Sequence, residues 1–203
     1  MADARNGPGL REHVFVFTRF LKSPRTVGAL TASSRALADA MVADHEFLGP
    51  VRIVELGPGT GALTVAIVAR LQPENRFLAV DIDPAFVEKL CLRWPQIECV
   101  CASAEQLDTL LAERRLLPID QIVSGLPFVS LPPEMTHGIL GAIDRSLKPG
   151  GKFTTFQYLL GYPLPSAVKF RRATSQLLGG PPSVRLVMRN FPPAIVMTWT
   201  KKH

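Results

Sequence analysis

The sequence predicts an α/β domain: a doubly wound, mostly parallel sheet with an antiparallel C-terminal strand pair and an N-terminal amphipathic helix. Three observations predict it. Short apolar runs rich in β-branched residues alternate with helical stretches, the order expected of a parallel sheet covered on both faces. The first of these runs ends in a glycine-rich turn, Gly57-Pro-Gly-Thr-Gly-Ala62, that opens an apolar-periodic helix. The last two runs flank Asn190-Phe-Pro-Pro193 and read as a closing pair.

Composition bounds the answer. A chain of 203 residues, 47% hydrophobic and 20% charged, suits one globular domain over 1–203 and excludes a disordered one. No apolar run approaches the ~18 residues of a membrane span, and the first residues lack the apolar core of a leader peptide, so the expected compartment is the cytosol. Cys91, Cys99 and Cys101 are odd in number without CxxC spacing, and His13, His45, His137 and His203 are scattered. A disulfide framework is therefore not expected, nor is a metal site.

In chain order, Leu10 to Lys22 forms an amphipathic segment within a membrane-contact stretch over 1–25. At about 100° per residue Leu10, Val14, Phe17 and Leu21 make a narrow apolar stripe. Arg11 and Lys22 lie on its flank with Arg19 beyond, and Phe15 points among them, which suits either an interfacial helix presented to anionic lipid or a helix that caps the core with Phe15 packed on a neighbour. Thr31-Ala-Ser-Ser34 supplies cap residues for a helix from Arg35 to about Ala43. Val51 to Glu55 reads as a buried strand, and the helix after the glycine turn is expected from about Thr60 to Leu71, its free N–H groups facing an acceptor. Arg76–Asp83 is strand two, ending in two acids, and Pro84 opens the next helix. Ile97–Cys101 and Ile119–Ser124 are strands three and four. A helix from Pro133 to Leu147 stops at Lys148-Pro-Gly-Gly151, and Lys152–Tyr158 is strand five. Pro165–Leu178 reads as helix, and Val184–Arg189 and Ala194–Thr200 are the closing strands.

Charge is unevenly spread. The net +6 divides into +4 over residues 1–35, −8 over 36–144 and +10 over 145–203, with no acid after Asp144. Two basic ends imply an anionic partner, a lipid headgroup surface or nucleic acid.

Open doubly wound sheets bind ligands at the carboxyl ends of their strands. Here those ends carry the glycine turn, Asp81 with its capacity to accept from two ribose hydroxyls, Ser103-Ala104 beside an adenine edge, and Ser124-Gly125 at a reacting centre. The turn also fits the dinucleotide fingerprint, so the glycines alone do not choose the ligand. Glu55 tilts the choice: its charge would repel a pyrophosphate and attract an ammonium.

Val54-Glu-Leu-Gly-Pro-Gly-Thr-Gly61, Asp81-Ile-Asp83 and Ser124-Gly-Leu-Pro-Phe128 resemble the class I S-adenosylmethionine-dependent methyltransferases. With Val27–Ser34, Phe156-Gln-Tyr158 and Asn190-Phe-Pro-Pro-Ala194 the chain is more narrowly similar to bacterial phospholipid N-methyltransferases, which convert phosphatidylethanolamine stepwise to phosphatidylcholine. The resemblance implies a Rossmann-like sheet and S-adenosylmethionine as cofactor, with S-adenosylhomocysteine as product. Glu55, Gly57, Gly59, Thr60 and Gly61 would hold its methionine portion, Asp81 and Ile82 the ribose, and Ser103-Ala104 the adenine, where the family usually carries an acid at the position of Ser103. Ser124, Gly125 and Tyr158 would form the catalytic centre, and Phe128, Tyr158, Arg171, Arg172, Arg189 and Asn190 the phospholipid site. It further implies a peripheral enzyme on the inner face of the cytoplasmic membrane, bound to anionic phospholipid. An rRNA adenine N-methyltransferase is the alternative, against which Gly125 speaks, since those enzymes carry an asparagine there; a catalytically inactive lipid- or RNA-binding module is another.

Overall fold

The computed structural model describes residues 27–203. The expected membrane-contact segment, with Arg11, Phe15, Arg19 and Lys22, lies outside the described residues. Five strands run parallel: β1 (Arg52–Leu56), β2 (Arg76–Asp81), β3 (Glu98–Cys101), β4 (Ile119–Ser124) and β5 (Leu147–Tyr158). With β6 (Ser183–Val187) and β7 (Ala194–Thr200) they form one seven-stranded sheet in the order β3-β2-β1-β4-β5-β7-β6, β7 running antiparallel to both neighbours. The expected sheet, mostly parallel with an antiparallel C-terminal pair, is the observed one. Strand order reverses between β1 and β4, which opens a crevice at their carboxyl ends.

The central strands are apolar on both faces because both faces are covered. Val54, Leu56, Ile122, Phe153 and Trp199 face one core, closed by α4 (Leu107–Glu113), α5 (Pro133–Ser146) and α6 (Pro165–Leu177). Ile53, Ala79, Val123 and Val196 face the other, closed by α1 (Val27–Val42) and α2 (Thr64–Val68) through Met41 and Ile67. Within the first core Phe128 stacks on Phe170 at 4.6 Å and Phe153 on Trp199 at 5.8 Å. Truncating such a residue to Ala costs about 3–5 kcal/mol.

Three expectations need correction, and one helix goes unannounced by the sequence. The helix before β1 begins at Val27, so Thr31–Ser34 lie inside it and are not its cap. The helix after the glycine turn is only Thr64–Val68, because Gly57, Gly59 and Gly61 hold φ of +69°, +53° and +85° and cannot be helical. Lys148-Pro-Gly-Gly151 does not end a helix before a separate strand: β5 already starts at Leu147, and the register shifts opposite Ile119–Gln121 to absorb these residues. Helix α4, with a short 3₁₀ turn over Ala104–Gln106 before it, is too brief to show a period in sequence. Pro84 does open α3 (Pro84–Arg93), with Asp83 accepting from Ala85 N at 2.9 Å as cap.

Below the crevice runs a buried polar chain. His45 Nδ1 meets Gln121 Oε1 at 2.6 Å, His45 Nε2 meets Thr154 Oγ1 at 2.8 Å, and Thr154 meets Thr198 Oγ1 at 2.8 Å. Burial holds the imidazole pKa down at about 4, against the opposing Gln121 hydrogen bond, so His45 is neutral here. No helix among the described residues is long and apolar enough to cross a membrane.

Candidate functional site

Parallel register aligns four strand ends. Leu56 lies beside Val80 and Ser124, and Asp81 beside Cys101. Gly57 N donates to Val80 O at 2.9 Å and Gly125 N to Leu56 O at 2.8 Å, which ties the turns after β1 and β4 to the sheet. A Cβ on Gly57 would fall 2.6 Å from Leu126, one on Gly61 2.6 Å from Trp94, and one on Gly125 2.8 Å from Gly57 O. These glycines let neighbouring parts of the site close on one another. Gly59 differs, since a Cβ there would meet nothing within 4 Å. Its side of the turn is open to a ligand, as is Thr60, which is exposed. Of the N–H groups that follow Gly59, that of Gly61 is bonded to Pro58 O at 2.9 Å and is not offered to a ligand.

Glu55 is wholly buried at the end of β1. Its Oε2 accepts from Thr64 Oγ1 at 2.7 Å, and its Oε1 has no hydrogen-bond partner among the described residues. Burial pushes the carboxyl up to about 8; the Asp81 charge adds to this and the Thr64 hydroxyl opposes it. The sequence predicts a standing negative charge here; the structure instead holds a mostly neutral acid at pH 7.

Asp81 is fixed by the backbone: Oδ2 accepts from Gly59 N and Oδ1 from Asp83 N, each at 3.0 Å. Burial raises its pKa, and these two bonds oppose the rise. Each oxygen keeps a lone pair for a hydroxyl. Ile82, next along, is exposed at the crevice rim. Ser103 Oγ accepts from Glu105 N at 3.3 Å, capping the 3₁₀ turn that Ala104 begins, and lies 3.4 Å from Glu105 Oε2. An acid thus stands beside Ser103 after all, two residues on. Sequence reasoning missed Glu105, and it missed Thr64, whose only sign was a hydroxyl on an otherwise apolar helix face.

The residues expected around the substrate divide. Ser124 is buried, accepting from Leu126 N through Oγ at 3.2 Å and from Thr155 Oγ1 through its carbonyl at 3.0 Å. These bonds shape the loop after β4. Phe128 is a core residue against Phe153 and Phe170, not a wall of the crevice. Tyr158, at the end of β5, meets Phe156 edge to face at 5.5 Å, and burial raises its phenol pKa. Arg171 is spent inside the fold, donating to Gln157 Oε1 at 2.6 Å and Tyr162 O at 2.8 Å while lying 3.7 Å over the Tyr162 ring. Asn190 is buried and donates to Pro192 O at 2.6 Å, closing the turn before β7. Arg172 and Arg189 are exposed. The structure therefore gathers Glu55, the glycine turn, Asp81, Ser103 and Gly125 at one crevice, with Tyr158 and the Asn190 turn on its β5–β7 side.

Residues 53–151 match a family model described as a methyltransferase domain. An ornithine lipid N-methyltransferase of Singulisphaera acidiphila is 28% identical over 71% of this chain and 77% of its own length. A ribosomal RNA small subunit methyltransferase A of Synechococcus elongatus is 30% identical over 57% of this chain, which spans under half (42%) of that relative. Among solved structures, a 1,6-didemethyltoxoflavin-N1-methyltransferase of Burkholderia thailandensis with bound S-adenosylhomocysteine superposes with a TM-score of 0.68 at 21% identity, over 100% of this chain and 94% of that one. Fibrillarin of Aeropyrum pernix with bound S-adenosyl-L-methionine gives a TM-score of 0.58 at 15% identity, over 84% and 76% of the two chains. This chain is an S-adenosylmethionine-dependent methyltransferase.

The residues present fit that cofactor. The unpartnered Oε1 of Glu55 suits a donor carrying positive charge, and the open side of Gly59 leaves backbone free for a ligand. The anchored carboxylate of Asp81 suits a pair of hydroxyls.

Proposed function

We propose that this methyltransferase acts on the amine of a membrane lipid: phosphatidylethanolamine and its methylated products towards phosphatidylcholine, or a lipid with a comparable primary amine. The observation that carries the reading is the breadth of the likeness to the ornithine lipid N-methyltransferase, which extends over most of both chains. The likeness to the RNA enzymes is shorter on both sides, and Gly125 offers no side-chain amide to hold a base.

In this reading Glu55 and the turn from Gly57 to Gly61 hold the amino-acid end of the cofactor, Asp81 and Ile82 the ribose, and Ser103, Ala104 and Glu105 the adenine. When bound, S-adenosylmethionine supplies an electrophilic methyl on a sulfonium. The chain contributes position above all, which in well-oriented systems is worth up to ~7–11 kcal/mol. An amine must arrive without its proton, and Tyr158 is no base for it, because its raised pKa keeps the phenol protonated at neutral pH. The proton passes to solvent, and Tyr158 orients the neutral amine by a hydrogen bond or holds the methylated cation by a cation–π contact. Arg172 and Arg189, the exposed pair, take the lipid phosphate in place of the engaged Arg171.

Labelled S-adenosylmethionine with vesicles containing phosphatidylethanolamine or ornithine lipid, and with rRNA in parallel, tests this. Label in lipid is expected; label in RNA alone, or in neither, rejects the reading.

A further inference from the structure

We propose that the protein rests on an anionic bilayer through an apolar rim made by two loops at the crevice end of the sheet, Leu159–Leu164 and Met188–Phe191. The proposal builds on the lipid reading above and names the surface that serves it.

Because β7 runs against β5, the chain leaving β5 and the chain entering β7 lie at the same end. Tyr158 pairs with Ala194, and Leu159 N donates to Pro193 O at 2.8 Å. The two loops are thus neighbours, on the β5–β7 side of the crevice. Their apolar side chains point outward: Leu160 is 82% exposed, Phe191 67% and Met188 63%. Leu48 and Leu92, which are as exposed, stand on other elements without such company.

Charge selects the partner. Arg189 sits between Met188 and Asn190, Lys169 and Arg172 are exposed on the adjoining α6, and no acidic residue follows Asp144. Apolar tips ringed by cations suit an interface whose headgroups are anionic and whose interior is apolar. RNA would use the cations but gains little from aliphatic Leu160 and Met188, since it is held by stacking on aromatics. A second copy meeting this face symmetrically would set cation against cation.

The test uses the full chain with vesicles of phosphatidylglycerol and phosphatidylcholine. Leu160→Asp combined with Phe191→Asp is expected to weaken vesicle partition about tenfold or more. S-adenosylhomocysteine affinity, measured by calorimetry, should not change. Methylation of lipid in vesicles should fall with the partition, while that of lipid dispersed in detergent persists. Partition equal to wild type overturns the proposal. So does a wild-type dimer that the double variant dissolves, or a loss of RNA binding with vesicle binding intact. The two readings fail separately. Wild type that binds vesicles through the rim but labels no lipid loses the substrate reading alone. Wild type that labels lipid while the variant floats unchanged loses the rim alone.

Discussion

Thr64 Oγ1 donates to Glu55 Oε2 across 2.7 Å, and this bond holds a wholly buried carboxyl whose other oxygen is unpartnered among the described residues. The arrangement costs stability in the free protein and is offset when a cation completes it. Glu55→Gln should therefore separate folding from binding. Affinity for S-adenosylhomocysteine should fall about 10- to 100-fold, as expected for losing a charge-assisted contact. Thermal melting at pH 8 should rise, since the amide has no charge to bury. Calorimetry and a melting curve read the two effects.

The same group gives the binding a pH dependence. Its folded pKa of about 8 lies above the ordinary 4.5, so between those values the folded chain holds a proton the unfolded chain has lost. Stability contributed by Glu55 is thus present below pH 4.5 and declines as pH rises towards 8. Pairing with an ammonium favours the ionised acid. Affinity for S-adenosylhomocysteine should increase from pH 6 to 8, with release of a fraction of a proton at pH 7. Calorimetry in buffers of different ionisation enthalpy measures that proton, and Glu55→Gln should abolish it.

Gly59 and Gly61 should fail differently. A methyl on Gly59 meets no protein atom within 4 Å, so Gly59→Ala costs only the ~1 kcal/mol of its left-handed backbone while its methyl enters the ligand's space. It should fold and bind the cofactor at least tenfold more weakly. A methyl on Gly61 lands 2.6 Å from the Trp94 ring, so Gly61→Ala should destabilise by roughly 2–4 kcal/mol before binding is considered. Denaturant melts with binding titrations distinguish the two.

His45 makes the fold acid-sensitive. Its pKa is depressed from 6.5 to about 4, so as pH falls through that window the unfolded chain takes up a proton the folded chain refuses. Stability present above pH 6.5 should be lost progressively down to pH 4, on the order of 3 kcal/mol. His45→Gln should be less stable at pH 7 but show a flatter loss between pH 6.5 and 4, read from urea midpoints.

The adjacent arginines of α6 should sort into structure and activity. Arg171→Ala breaks bonds to Gln157 and Tyr162 and should cost about 1–3 kcal/mol of stability. Arg172→Ala, at an exposed position, should leave stability within ~0.5 kcal/mol while raising the KM for vesicular lipid.

The sheet was legible because strands buried on both faces are written as apolar runs, as in Ile119–Ser124, and because Gly57, Gly59 and Gly61 can only be a turn. That turn also misled: periodicity after it suggested a helix from Thr60, whereas the φ values of the glycines delay it to Thr64. The identities at the crevice, Glu55 and Asp81, were readable from spacing along strand ends. Their states were not. The neutrality of Glu55 depends on burial and on Asp81, and the inward turns of Phe128 and Arg171 depend on partners 42 and 14 residues away that no local pattern records. Glu105 beside Ser103 came from a 3₁₀ turn too short to leave a period.

The reversed direction of β7 has a consequence for how such an enzyme changes over time. A parallel seventh strand would have returned through a helix on a sheet face; the reversed one returns through a few residues at the rim, held by Asn190 and by the Leu159–Pro193 bond. In the proposed reading the donor half of the crevice stands on β1 and β2, and the acceptor half on a turn three strands away along the sheet. Selection can redraw such a turn residue by residue without disturbing the strands that carry Glu55 and Asp81, so one methyl-transferring frame is free to follow its lineage from one acceptor to another.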